Sequence, residues 1–130
     1  MTTASVMVEP AHPSIDRHVL DSLGLLDDPE SLQELFGIYL SDTKKRMEEI
    51  RTELAQDKID WVVRAAHTLK GSSANLGLSA IAHIADSIVT IVRSETPDLQ
   101  KAGQELVGLG EEFLRIQHFM KNEYGYGGSA

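Results

Sequence analysis

A chain of 130 residues, 42% hydrophobic and 25% charged, has the length and balance of one globular domain with a core of its own. Its formal charge of -8, from 20 acidic and 12 basic residues, excludes the broad basic footprint that nucleic-acid binding requires. The absence of cysteine excludes disulfides, thiolate chemistry and cysteine-ligated zinc.

Residues 1–14 carry Pro10 and Pro13 without apolar periodicity, and are expected to form a flexible leader. Met1 to Pro10 has neither a basic n-region nor a continuous apolar stretch, so it does not resemble an export signal. No apolar run in the chain approaches the ~20 residues of a membrane span. No membrane association is expected, and the cytoplasm is the expected compartment.

Ile15, Val19, Leu20 and Leu23 recur at helical spacing, with Asp16 in the opening turn and Gly24 as terminator. Asp28-Pro29 then reads as a helix start: an acidic cap followed by a proline whose missing N–H costs nothing there. Leu32, Leu35, Phe36, Tyr39, Leu40, Met47, Ile50 and Leu54 keep a period near 3.6, which predicts one long helix over 29–55. Gly37 is its weak point, and a break near Ser41-Asp42 is the alternative. Lys44-Lys45-Arg46 is the densest basic cluster, but Glu48-Glu49 follows directly, and the group reads as solvated helix surface.

Asp57 is a candidate cap for the next helix, whose inner face holds Val62, Ala65, Ala66 and Leu69 and which ends at Asn75-Leu76-Gly77. Ser79 stands where a fourth segment begins, and Ile81, Ile84, Ala85, Ile88, Ile91 and Val92 form its buried stripe. Thr96-Pro97-Asp98 repeats the cap-then-proline signal before a last helix carrying Leu99, Leu106, Leu109, Phe113, Ile116 and Met120. Single apolar stripes on long segments with short connections must be buried against one another. The expected fold is therefore all-α: an antiparallel up-and-down four-helix bundle over residues 15–121, with a short additional N-terminal helix. A flexible tail is expected over 122–130.

The stretch from Ala66 to Gly77 departs from ordinary amphipathic helix. At about 100° per residue, Ala65, Ala66 and Leu69 lie within about 60° of Val62 and define the core direction, whereas His67 lies at about 140°. Lys70 follows one turn on, the small residues Gly71 and Ala74 occupy neighbouring positions, and Val63 offers apolar area. Glycine at position 71 leaves room for another protein's backbone or active-site loop, and that close approach is a candidate offset for its cost in a helix.

A solvent-exposed imidazole keeps a neutral nitrogen near neutral pH, and that nitrogen can attack phosphorus. The product has a labile P–N bond suited to handing the group onward. Lys70 can offset charge on the phosphoryl oxygens. In-line geometry, magnesium and an acceptor carboxylate would have to come from a partner.

These residues carry a resemblance. Ala66-His67-Thr68-Leu69-Lys70-Gly71-Ser72-Ser73-Ala74-Asn75-Leu76-Gly77 resembles the phosphoacceptor signature of histidine-containing phosphotransfer (HPt) domains, and the four-helix pattern over roughly 28–120 is similar to that family's. The resemblance implies that His67 is the phosphoacceptor, through Nε2, and that Lys70 assists transfer. It implies that Gly71 is the clearance glycine and Gly77 the turn residue before the next helix. Ser72 and Ser73 match the motif as local hydrogen-bonding residues, and Arg93 matches a basic residue that some relatives keep beside the histidine. Val89 stands where some relatives carry a glutamine or glutamate that contacts the ring, and a valine accepts no hydrogen bond.

The function that this resemblance implies is a phosphorelay intermediate. His67 would accept a phosphoryl group from a receiver-domain aspartate and pass it to another receiver, with no autokinase activity. Receiver domains of response regulators and of a hybrid sensor histidine kinase are the implied partners. No cofactor is expected on this chain, Mg2+ is expected on the receiver, and the expected state is a monomer. The alternative is a non-catalytic helical module that binds or sequesters a receiver or a kinase.

The remaining candidates read as structural. His12, His18, His83 and His118 form no pair at four-residue spacing, so no metal site is expected. Glu48-Glu49 and Glu111-Glu112 splay on their helices as solvated surface. Trp61 lies at about 260° from Val62, and is expected to pack against another helix at the edge of the core stripe.

Overall fold

The structure, a computed structural model, describes residues 14–127. It contains α1 (Arg17–Ser22), α2 (Pro29–Ala55), α3 (Ile59–Asn75), α4 (Ser79–Val92) and α5 (Leu99–Tyr124), with no strand among the described residues. All of the expected leader except Ser14 lies outside the described residues.

Each start and stop has a local cause. Asp16 accepts backbone N–H groups of His18 and Val19 and caps α1. Asp28 accepts the Ser31 N–H at 3.2 Å, with Pro29 in the first turn, and hydrogen bonding from Ser31 holds its carboxyl below the ordinary carboxylate value. α2 then runs unbroken through Gly37 and Ser41-Asp42, because Phe36, Tyr39, Leu40, Thr43 and Ile50 are buried on both sides of that point.

Asp57 does not cap α3. It adopts the left-handed conformation (φ 60), and the following Lys58 N–H returns to the Glu53 carbonyl at 2.9 Å, so the aspartate ends α2 as a glycine commonly would. Lys58 takes the N-cap position of α3 without a side-chain bond. Thr96-Pro97 likewise does not cap α5. Asp98 does, accepting the Lys101 N–H at 3.0 Å. Ser79 leaves the N-cap of α4 to Leu78 and directs its hydroxyl to the Gly77 carbonyl.

α2, α3, α4 and α5 pack in a ring, each on its sequence neighbours, with α5 closing on α2. The connections at 56–58, 76–78 and 93–98 are short enough to make consecutive helices antiparallel. Leu40, Ile50, Val62, Leu69, Ile81, Ile88, Leu109 and Ile116 are fully buried at its centre. α1 lies outside the ring, across the α3–α4 turn: the Asp16 N–H donates to the Gly77 carbonyl at 2.6 Å, and Leu20 is buried. Arg17 reaches across to α5, bonding Glu123 at 2.7 Å and stacking 5.1 Å from the Phe119 ring centroid.

The expected boundary at 121 moves. α5 continues to Tyr124, Gly125 takes the left-handed conformation that turns the chain, and Tyr126 is buried edge-on to Phe36 with ring centroids 6.2 Å apart. Residues 128–130 lie outside the described residues.

Trp61 also departs from expectation. It is 53% exposed, and the Arg64 guanidinium sits 4.8 Å from its ring centroid. It occupies the first turn of α3, where it borders an open groove along α2 lined by Lys45, Glu49 and Gln56.

Candidate functional site

The outer faces of α3 and α4 form the site. Val62, Ala65, Ala66 and Leu69 fix the rotation of α3 by burying one stripe, and His67 is consequently exposed. Among the described residues nothing hydrogen-bonds to its ring. A Cβ built at Gly71 would meet nothing within 4 Å, so the surface one turn beyond the imidazole is open. Ala74 continues that open strip, exposed one turn further on.

Two grooves flank the strip. One, of about 610 Å³, is lined by Ile59, Asp60, Val63, Arg64, His67, Thr68, Val92 and Arg93. Arg93, the C-cap of α4, thus shares a concavity with His67. The other, of about 270 Å³, is lined by Val19 of α1 together with Lys70, Ala74, Gly77, Ser79, Ala82, His83 and Asp86. Lys70 and His67 are neighbours along the helix but open into different grooves.

Lys70 is engaged. Its Nζ donates to Asp86 Oδ1 at 2.9 Å, across from α3 to α4. The bond to Lys70 and its positive charge hold the Asp86 carboxyl below the ordinary carboxylate value, with His83 and His67 contributing in the same direction. Sequence reasoning did not single out Asp86. The signal was available: Asp86 lies about 140° from the buried Ile81 on α4, the angle His67 makes with Val62 on α3. Arg64 was also missed, and its place in the groove beside His67 follows from its position one turn before the ring-bearing residue.

The inward half of the motif is structural. Ser73 is fully buried and its hydroxyl pairs with the Tyr39 hydroxyl of α2 at 2.7 Å. Burial pushes the Tyr39 phenol up, and the bond to Ser73 opposes that shift. Ser72 bonds locally to the Leu69 carbonyl. Gly77 has φ 76, and a Cβ there would stand 2.6 Å from the Asp16 carbonyl oxygen and 3.0 Å from Val19 Cβ. Glycine is required both by the backbone and by the close approach of α1. Val89 is buried in the core and offers the His67 ring no hydrogen-bonding group.

Among the described residues no group of three or more histidine, cysteine or acidic side chains converges to hold a metal. None of their helices is long and apolar enough to cross a membrane.

The sequence profile of the Hpt domain family matches residues 34–119, well over half of the chain and the whole of the α3–α4 face. The chain belongs to the Hpt domain family. Members are phosphorelay modules that carry phosphoryl groups without autokinase activity of their own. Among solved structures, the fold is similar to the crystal structure of histidine-containing phosphotransfer protein B from Pseudomonas aeruginosa PAO1. That similarity has a TM-score of 0.78 at 22% sequence identity, covering 89% of this chain and 98% of the other. At that identity it speaks for the fold alone. No curated protein matches the chain.

Proposed function

We propose that this Hpt domain is a relay intermediate in which His67 receives a phosphoryl group from a receiver-domain aspartate and surrenders it to a second receiver. The observation that carries this reading is the exposed His67 imidazole, without a hydrogen bond among the described residues, beside the open surface over Gly71 and within the matched Hpt segment.

The step balances without a base. The Nε2 lone pair forms the P–N bond as the bond from phosphorus to the aspartyl oxygen breaks. The aspartate leaves as a carboxylate, and the proton on Nδ1 stays in place. Lys70 and Arg93 supply positive charge from the two flanking grooves, where it offsets charge on the phosphoryl oxygens. Val63, Gly71 and Ala74 form the small, partly apolar strip on which the receiver's active-site loops rest. The receiver brings Mg2+ and the in-line geometry. Receivers of response regulators and of a hybrid sensor kinase are the partners, in the cytoplasm, with this chain acting as a monomer.

Incubation with a phosphorylated receiver tests the reading. Wild-type protein gains an acid-labile phosphate, and His67→Gln gains none. Receiver binding without phosphate uptake by the wild type would favour the interaction-module alternative.

A further inference from the structure

We infer that Asp86 is a positioning residue for Lys70: it holds the ammonium group in the resting protein and yields it to the phosphoryl oxygens when His67 is phosphorylated. This rests on the phosphorelay reading and assigns a residue and a partner exchange within that site.

The argument starts from reach. Lys70 lies three residues after His67, so their Cβ atoms are neighbours on one helix face, and a lysine stem spans that gap with length to spare. The same stem instead crosses to α4 and bonds Asp86 Oδ1 at 2.9 Å. Lys70 therefore has two anionic destinations within one rotamer change. One is the fixed single charge of Asp86, and the other is the phosphoryl group when present, whose charge is about -1.5 to -2 near neutral pH.

The pair is built to open. Its side chains are 43% and 49% exposed, so water screens their attraction and replaces either partner readily. A buried pair would instead leave an uncompensated charge on parting. The titratable groups facing Lys70 and Asp86 are His83 on the same groove wall and His67 one turn back on α3. A positive charge on either histidine favours the anionic form of Asp86. Lys70 opens into the second groove beside Val19 of α1 and Ala82 of α4. Asp86 thus restricts where Lys70 rests, and at the same time competes with the phosphoryl group for it.

Competition fixes the sign. Removing the carboxylate frees Lys70 for the phosphoryl group, so the phosphorylated form gains. For an exposed pair the gain is about two- to fivefold in the lifetime of phosphohistidine and in its equilibrium with a phosphorylated receiver.

The experiment uses the 130-residue chain phosphorylated by potassium phosphoramidate, which needs no receiver, followed by hydrolysis of the phosphohistidine. Asp86→Asn is expected to lengthen the lifetime by that factor, and Asp86→Glu to restore it to near wild type. In a Lys70→Met background the Asp86→Asn effect is expected to shrink to less than half. The Lys70 15Nζ resonance is expected to move on phosphorylation in wild type, and to start nearer the phosphorylated position in Asp86→Asn. An unchanged lifetime in Asp86→Asn, or the same gain with Met at position 70, would overturn the exchange and leave the phosphoacceptor role of His67 standing. A protein that phosphoramidate does not label, with wild type and His67→Gln alike, overturns both.

Discussion

The two halves of the segment from His67 to Gly77 share one helix and have opposite environments. The outward half, His67, Lys70, Gly71 and Ala74, faces open space or loose polar partners. The inward half, Leu69, Ser73, Leu76 and Gly77, is buried, and a Cβ at Gly77 would collide with the backbone of α1. A single run of motif residues therefore mixes two kinds of constraint: substitutions outward should change transfer without costing stability, and substitutions inward should cost stability first.

The largest expected effects come from the extremes of that contrast. Leu69→Ala should destabilise the bundle by about 2–5 kcal/mol through the cavity it leaves, measured by denaturant unfolding. A cost below 1 kcal/mol would mean that the inward stripe is not packed as described. Gly77→Ala should cost about 1–3 kcal/mol, because a left-handed backbone and an occupied Cβ position act together. Neutral behaviour there would show that α1 does not lie on the α3–α4 turn.

Smaller effects sharpen the comparison. Tyr39→Phe should cost about 1 kcal/mol by leaving the buried Ser73 hydroxyl without its partner, again read from unfolding curves. Gly71→Ala should raise stability by up to about 1 kcal/mol on helix propensity, while Gly71→Gln should slow receiver transfer in a folded protein. Transfer at the wild-type rate with Gln at 71 would defeat the clearance argument. Lys70→Ala should slow transfer more than it weakens receiver binding, and equal losses would make Lys70 a docking residue.

The smallest expected effect is on acid stability. The carboxyls of Asp28 and Asp86 titrate below their ordinary value in the folded protein. Their contribution is therefore complete above the ordinary carboxylate value, and is lost as pH falls through the depressed ones. Tm followed downward from neutral pH should decline more gently in Asp28→Asn and Asp86→Asn than in wild type. Both groups are exposed, so added salt should narrow the difference.

Much of this was legible before any coordinates. The apolar stripes placed all five helices, because burial against neighbours decides where long amphipathic segments sit. The outward direction of His67 followed from the same stripe, the end of its helix from Asn75-Leu76-Gly77, and the turn role of Gly77 from the family resemblance. The misreadings fall where a side chain has two roles open to it. Asp57 looked competent to cap α3 and Thr96 to cap α5, and only the path of the chain made Asp57 a left-handed terminator and gave the α5 cap to Asp98. Trp61 had a neighbouring helix and a guanidinium of its own helix open to it, and it took the guanidinium. The burial of Tyr126 depends on Phe36, ninety positions away in sequence, and no local pattern announces it. Asp86 was hidden for a related reason: its partner lies on another helix, and a wheel drawn for one helix gives no register between two.

The measurement that bears most directly on the division between the two halves is a paired one on His67→Gln: acid-labile phosphate uptake from a phosphorylated receiver, and Tm in the same buffer. The expected result is complete loss of uptake with Tm unchanged. Phosphate still taken up, or a bundle that melts several degrees lower, would contradict the assignment of His67 to an open face whose role is chemical and not structural.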